Sequence, residues 1–221
     1  MSKNIVLLVG SGDVSEADLA CWSSRADKIV AADGGANLLT LNKYSIDCVI
    51  GDLDSITNDV KAVISPDKIM FIDNQDNTDL EKCLERIEAK VIVGLGFFGD
   101  RLDHNLANQS ILVRYASKAV ILLDRVDMMF VCPPKLWLDV PKHTNVSFYP
   151  LGPLQASSKG LQWSLTGLNL CPIKQISTSN KAMGAIEVTS GNNQLLTIMP
   201  KTHIHQVVAQ YLSGHFKTWE C

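Results

Sequence analysis

A chain of 221 residues, 46% hydrophobic and 19% charged with a net charge of −3, has room for one large or two small domains and ample material for a core. Its Lys and Arg residues are scattered and form no basic run, which argues against a nucleic-acid partner, and no apolar run approaches the ~20 residues of a membrane span. The six cysteines, at positions 21, 48, 83, 132, 171 and 221, include no C-x-x-C pair. They read as reduced, small core residues of a cytoplasmic protein, not as a disulfide or zinc framework.

Taken in order, the chain opens with a short apolar run at 5–9, closed by Gly10-Ser11-Gly12; this is a first strand and not a signal sequence. Ser15-Glu16-Ala17-Asp18 looks like a capping box opening a helix. Further apolar runs fall at 28–32, 47–50, 68–72, 91–95, 119–123 and 127–131. Between them Leu80, Cys83, Leu84 and Ile87 form one helical stripe, and Leu106 or Ala107, Ile111 and Tyr115 another. Continuous apolar strands alternating with helices predict an α/β domain over 1–133, with a mostly parallel sheet and helices on both faces.

Pro133-Pro134 ends that regime. Segments 136–139, 145–149, 160–165, 186–189 and 195–199 are short and often alternating, separated by Gly, Pro, Ser and Asn, with no helix until the last stretch. They predict a smaller all-β sandwich domain over 134–221.

Two acidic clusters stand at successive strand ends: Gly51-Asp52-Leu53-Asp54-Ser55, and Asp73-Asn74-Gln75-Asp76-Asn77-Thr78-Asp79. Alternation along an extended backbone would put Asp52 and Asp54 on one side and Leu53 on the other. Converging like charges are costly without a cation, and oxygen-only ligands suit a hard ion, most naturally Mg2+ bridging to phosphates. The plain alternative is a pair of solvated acidic loops.

Other stretches carry weaker signals. Gly10-Ser-Gly12 with Asp33 after the second strand invites a dinucleotide reading, but the third glycine position holds Ser15, and a tight turn needs no ligand. Gly34 and Gly35 expose backbone N–H groups at a helix start, suited to a phosphate, with Asp33 beside them for a ribose hydroxyl or a metal-bound water. Arg101, in the loop Gly99-Asp100-Arg101-Leu102-Asp103-His104, offers a planar fork for phosphate oxygens. Asp103 is as well placed to cap the following helix, and His104 to meet a base or finish that cap. In the second domain Trp163 has a face for a flat heteroaromatic cation, and Ser179 or Asn180 a partner for its amino group; a core Trp with a polar turn explains the same residues. No P-loop, G-x-S-x-G elbow or H-E-x-x-H occurs.

The ordered set of these motifs resembles thiamine pyrophosphokinases. It comprises Asp33-Gly34-Gly35-Ala36, Gly51-Asp52-Leu53-Asp54-Ser55, Gln75-Asp76-Asn77-Thr78-Asp79 with Lys82, Gly99-Asp100-Arg101-Leu102-Asp103-His104, Gly160-Leu161-Gln162-Trp163-Ser164-Leu165, and Ser177-Thr178-Ser179-Asn180. The resemblance implies transfer of the terminal diphosphate of ATP to the hydroxyethyl oxygen of thiamine, with Mg2+ and release of AMP. It implies a homodimer with active sites at the subunit interface. It assigns Asp52, Asp54 and Asp79 to metal and catalysis, and Gln75, Asp76, Thr78, Lys82, Arg101 and Asp103 to the nucleotide pocket. Trp163, Ser179 and Asn180 fall on the thiamine side. One departure is Asp100, a carboxylate where the family pattern carries a second glycine.

Two rivals remain at this point. Asp52-Leu-Asp54 superficially matches the signature of haloacid-dehalogenase-like phosphatases, in which the first Asp is a nucleophile, although that signature normally closes the first strand. A non-catalytic sensor binding a nucleotide or thiamine is the other.

Overall fold

A computed structural model describes residues 4–74 and 76–220. The chain divides into two compact units, one running to Ile111 and taking in Leu122–Arg125, the other holding Leu112–Ile121 and everything from Val126 on. No helix among the described residues is long and apolar enough to cross a membrane.

The first unit alternates strand and helix: β1 (Ile5–Val9), α1 (Glu16–Ser23), β2 (Lys28–Ala32), α2 (Gly35–Leu41), β3 (Cys48–Gly51), α3 (Asn58–Val63), β4 (Ile69–Phe71), α4 (Asp79–Arg86) and β5 (Val91–Leu95). The strands pair in parallel in the order β5-β1-β2-β3-β4. Strands β1 and β5 are buried at every residue, which is why their sequences are continuous apolar runs. Each such Leu, Ile or Val contributes about 1.5–3 kcal/mol by leaving water. The Ser15 hydroxyl caps α1 by accepting from the Asp18 N–H at 3.5 Å, and Thr78 caps α4 by accepting from the Glu81 N–H at 3.3 Å.

After α5 (Leu102–Arg114) and β6 (Val120–Leu123), the second unit is β-rich: β7 (Asp127–Val131), β8 (Lys135–Leu138), β9 (Asn145–Pro150), β10 (Leu154–Leu161), β11 (Asn169–Leu170), β12 (Ser177–Ser190) and β13 (Leu195–Pro200), closed by α6 (Ile204–Leu212). The pairs β10–β11, β10–β12, β8–β12, β9–β12, β7–β13 and β9–β13 are all antiparallel. The sheet is therefore mixed and not mostly parallel as the sequence pattern predicts. The difference turns on β7. Its apolar run looks like the parallel strands before it, but it pairs antiparallel with β13.

Two more differences concern the second unit. The strand expected at 160–165 ends at Leu161, and the one expected at 186–189 is the tail of the 14-residue β12, whose first part contains the polar segment Ser177-Thr178-Ser179-Asn180. The front of β12 pairs with β9 and its back with β8 and β10. Its buried positions keep one alternation from Asn180 to Ser190, but the first of them are Asn180 and Ala182, so a search for large apolar residues finds only the end at Ile186 and Val188.

Parallel pairing has one consequence for function: the loops leaving β1, β2, β3 and β5 emerge at the same edge of the first unit's sheet, where ligands of open α/β sheets bind.

Candidate active site

That edge encloses a cavity of about 700 Å³ within the first unit. Its wall comes from the loops after β1 and β5, from the β3–α3 turn, from the start of α4 and from the face of α5 carrying His104, Asn105 and Asn108.

Glycines let these loops meet. A Cβ on Gly10 would stand 2.5 Å from the Gly96 carbonyl oxygen, and one on Gly12 2.4 Å from that of Phe98. The two loops are laced instead by hydrogen bonds from the Gly10, Gly12 and Asp13 N–H groups to the Leu95, Gly96 and Phe98 carbonyls, at 2.8, 2.9 and 3.1 Å. Close backbone approach thus accounts for the G-x-G signal without a dinucleotide. Gly35 is needed for the same reason, since its Cβ would lie 2.0 Å from the Val9 carbonyl oxygen. Gly34 and Gly35 are buried and form no part of the cavity wall, so the structure does not present their N–H groups as the expected phosphate cradle.

The acidic cluster is real but differs in membership and construction. Carboxylate oxygens of Asp33, Asp52 and Asp54 lie within 4.8 Å of one another. Asp33, at the end of β2, is 1% exposed, with a backbone φ of +41° that aspartate tolerates better than most residues. Its Oδ2 accepts from the Ser55 N–H at 3.2 Å, whereas Oδ1 is buried with no partner among the described residues. Gly51 makes room for this side chain, because a Cβ there would come within 2.8 Å of the Asp33 Cβ. Asp52 and Asp54 do not converge by strand alternation. The backbone turns at Leu53, with φ +64°, and the Asp54 N–H donates back to Asp52 Oδ1 at 3.3 Å. A turn that bonds Asp to the residue two on is a local option that competes with extended structure.

Asp79 stands apart from this triad. Lys82, one helical turn along α4, links the two groups, with Nζ 2.8 Å from Asp52 Oδ2 and 3.5 Å from Asp79 Oδ1. Its side chain is only 3% exposed. Burial pushes the Lys82 pKa down, but the Asp52 and Asp79 carboxylates outweigh it and hold the group above the usual lysine range. Burial also raises the Asp79 carboxyl, with Lys82 countering part of the rise and the negative charges of Asp33 and Asp52 adding to it. Among the described residues the carboxylates that meet are therefore Asp33, Asp52 and Asp54, and Asp79, expected with Asp52 and Asp54, is joined to Asp52 through Lys82.

Of the remaining sequence-predicted residues, some line the cavity and some do not. Asp76 and Thr78 line it, as do Arg101 and His104; Gln75 lies outside the described residues. Arg101 makes a bidentate contact with Asp103 (Nη2–Oδ2 2.7 Å, Nε–Oδ1 3.4 Å). Both side chains are more than two-thirds exposed, so the pair is weak and exchangeable. That guanidinium hydrogen bond keeps the Asp103 carboxyl below its ordinary range. Asp103 itself is not part of the wall, whereas Asp100 is.

Sequence reasoning missed three asparagines. Asn105 holds Gly99 at both ends of its peptide, accepting from its N–H at 3.3 Å and donating to its carbonyl at 2.9 Å, and Asn108 donates to the Phe97 carbonyl. Asn37 donates to the Ser55 carbonyl at 2.8 Å and accepts from the Thr57 N–H at 3.0 Å. Their signal was available only as helical spacing from Arg101 to Asn105 and Asn108, which says nothing about partners across the fold.

A separate cavity of about 500 Å³ lies in the second unit, lined by Trp163, Ile176, Ser177, Thr178 and Asn180 among others. Trp163 is 55% exposed and Asn180 1%. Ser179 is not in the wall. It adopts φ +57° and its N–H donates to the Ser147 hydroxyl at 3.0 Å.

Comparison with known proteins places both units. A family model described as the thiamin pyrophosphokinase catalytic domain matches residues 20–123, and one described as the thiamin pyrophosphokinase vitamin B1 binding domain matches residues 137–195. The chain is 31% identical over 180 residues to Thiamin pyrophosphokinase 1 of Caenorhabditis elegans, covering 72% of this chain and 73% of that one. It is 28% identical over 216 residues to Thiamine pyrophosphokinase 3 of Oryza sativa subsp. japonica, covering 81% of each. Among solved structures it superposes on thiamin pyrophosphokinase from Candida albicans with a TM-score of 0.77 at 20% identity, over 89% of this chain and 88% of that one. The yeast enzyme gives 0.75 at 19% identity, over 95% and 89%. At those identities the structural likeness speaks for the fold alone.

Proposed function

The chain belongs to the thiamin pyrophosphokinase family, and from that premise we propose that it transfers the terminal diphosphate of ATP to the hydroxyethyl oxygen of thiamine, giving thiamine diphosphate and AMP. The observation that carries the nucleotide half of this reading is the buried Asp33 Oδ1, without a partner among the described residues, converging with Asp52 and Asp54, which line the 700 Å³ cavity. A buried carboxylate oxygen without a donor is expensive unless a cation meets it.

Three hard oxygen ligands graded from buried to exposed fit Mg2+, which keeps water and phosphate oxygens in its remaining positions. Asp33, Asp52 and Asp54 would hold it, and it would supply charge neutralisation on the phosphates of ATP. The chain's own groups do the rest. Lys82 balances Asp52 and Asp79 until the phosphates arrive. Arg101 exchanges its exposed Asp103 partner for phosphate oxygens, a better match for its fork. Asp76, Thr78 and His104 border the nucleotide. For the proton of the attacking alcohol the candidates are Asp54 and Asp79. Asp79 is the better matched, since burial raises its proton affinity. Positioning and electrostatics carry most of the catalysis in such transfers.

In the second unit Trp163 presents an aromatic face to the 500 Å³ cavity, suited to the flat cationic rings of thiamine. A homodimer fits the apolar surface beside it: Trp163, Ile173 and Ile176 are exposed by 55, 87 and 37%. Cytoplasmic residence fits the free thiols of Cys21, Cys48, Cys83, Cys132 and Cys171.

Incubation with ATP, Mg2+ and thiamine, followed by separation of products, tests the proposal. AMP and thiamine diphosphate in equal amounts are expected; inorganic phosphate without AMP would point to a phosphatase, and tight binding without turnover to a sensor. Asp54→Asn should lower turnover by about 10²-fold or more with the fold unchanged, and near-normal turnover would remove Asp54 from the site.

A further inference from the structure

Asn180 is one of two residues, with Ser179, that the sequence offers to read the amino group of the vitamin. Its surroundings say otherwise. A carboxamide has two N–H donors and one oxygen able to accept twice. In Asn180 all of these are used inside the chain: Oδ1 accepts from the Trp163 N–H at 3.1 Å and the Lys181 N–H at 2.8 Å, and Nδ2 donates to the Trp163 carbonyl at 2.7 Å and the Ser177 hydroxyl at 3.2 Å. The side chain is 1% exposed. Turning the amide over would set Nδ2 against two N–H donors and Oδ1 against a carbonyl, so the backbone partners determine its orientation.

The reason for this arrangement lies in β12. The β10–β12 ladder runs to Leu161↔Ala182, and the Gln162 N–H still reaches the Lys181 carbonyl at 2.8 Å. Carried on, the same register sets Trp163 opposite Asn180. There β12 has left β10, and the Asn180 backbone pairs with Val146 of β9. Next to it Ser179 occupies the left-handed region. Trp163 would thus lose both ladder partners at the point where its indole must be held against the cavity. The Asn180 carboxamide imitates the missing peptide unit, accepting from the N–H and donating to the C=O of one residue.

We infer that Asn180 is a positioning residue, acting on thiamine only through Trp163, whose backbone it clamps so that the indole faces the second-unit cavity. This deepens the proposed function and rests on it for the substrate. Its geometric part stands on the hydrogen bonds alone.

The test is a double-mutant cycle on thiamine dependence with Asn180→Ala, Trp163→Ala and the pair. Asn180→Ala should raise the KM for thiamine about tenfold while moving the KM for ATP less than about twofold. In the Trp163→Ala background the same change should add less than about twofold, because the group it positions is gone. Multiplication of the two single effects would show that Asn180 touches the vitamin itself and would overturn the inference. If Asn180→Ala fails to fold, Asn180→Asp is read in the same cycle. It keeps the two accepted bonds, loses both donated ones and sets a carboxylate oxygen against the Trp163 carbonyl, so a rise in thiamine KM at least as large is expected, again absent without Trp163. An activity-independent arm separates this from failure of the functional reading. Acrylamide quenching of the Trp163 emission, taken as the difference between each protein and its Trp163→Phe counterpart, should change on Asn180→Ala or Asn180→Asp even if no thiamine diphosphate is ever formed. An unchanged difference in both variants would refute the clamp.

Discussion

Replacing Lys82 by methionine removes one cation from the most crowded acidic region of the fold and keeps an unbranched side chain in the space. The Lys82 side chain is 3% exposed and that of Asp52 12% exposed, at 2.8 Å from each other. Removing one partner of a buried pair costs about 3–5 kcal/mol, because the other charge is left in a medium that solvates it poorly. Here the lower end applies. The second partner, Asp79, is 43% exposed, and Asp52 can take up a proton instead of remaining ionised. At ~2–4 °C per kcal/mol for a protein of this size, a loss of about 3 kcal/mol lowers the melting temperature by about 6–12 °C in EDTA. Mg2+ then distinguishes a structural lysine from a counter-ion. A divalent cation held by Asp33, Asp52 and Asp54 relieves the same repulsion, so its stabilising shift should be larger in Lys82→Met than in the parent, narrowing the gap between them. Differential scanning fluorimetry across a Mg2+ titration reads both numbers. A variant melting within about 1 °C of the parent in EDTA, with an equal Mg2+ shift, would refute the reasoning that Lys82 balances this cluster.

Three further outcomes follow from the same geometry. Asp33→Asn keeps a residue type that tolerates φ +41° and should fold, yet lose Mg2+ affinity by about tenfold or more as measured by calorimetry with a non-hydrolysable nucleotide; unchanged affinity would exclude Asp33 from the metal set. Gly35→Ala would drive a Cβ to 2.0 Å from the Val9 carbonyl oxygen, and since backbone cannot yield as a side chain can, a loss above about 3 kcal/mol, seen as insolubility or a collapsed melting transition, is expected. Asp79 carries a raised pKa, burial being the main cause. Its folded form therefore binds its proton more tightly than the unfolded chain, and it costs stability as pH rises through that raised value. Asp79→Asn should melt higher than the parent at neutral pH without Mg2+, by no more than about 1 kcal/mol because water screens a partly exposed carboxylate. The gain should vanish below the ordinary aspartate range near ~3.9, and turnover should fall.

The first unit was legible because most of its strands, β1 and β5 above all, are buried on both faces. An apolar run such as Ile5–Val9 or Val91–Leu95 is unambiguous when every residue must leave water, and Ser15 announces its helix by the same chemistry that caps it. The second unit was harder, since β12 changes partners along its length and the inward positions of its first part are polar or small, Asn180 and Ala182. The acidic motifs could be seen at strand ends, but not which carboxylates meet. Asp33 joined Asp52 and Asp54 through the pairing of β2 with β3 and the turn at Leu53, while Asp79 was taken by Lys82.

From its residues alone this chain declared alternating strand and helix up to Pro133-Pro134, a β-rich remainder, and an ordered series of motifs pointing to one enzyme family. Those features are local, or repeat along the chain, so burial and spacing are enough to reveal them. The carboxylates that share an ion, the lysine that answers them and the asparagine that holds Trp163 depend on which distant backbones come within hydrogen-bond reach. Strand register and turn conformation alone set such distances, and no periodicity encodes either.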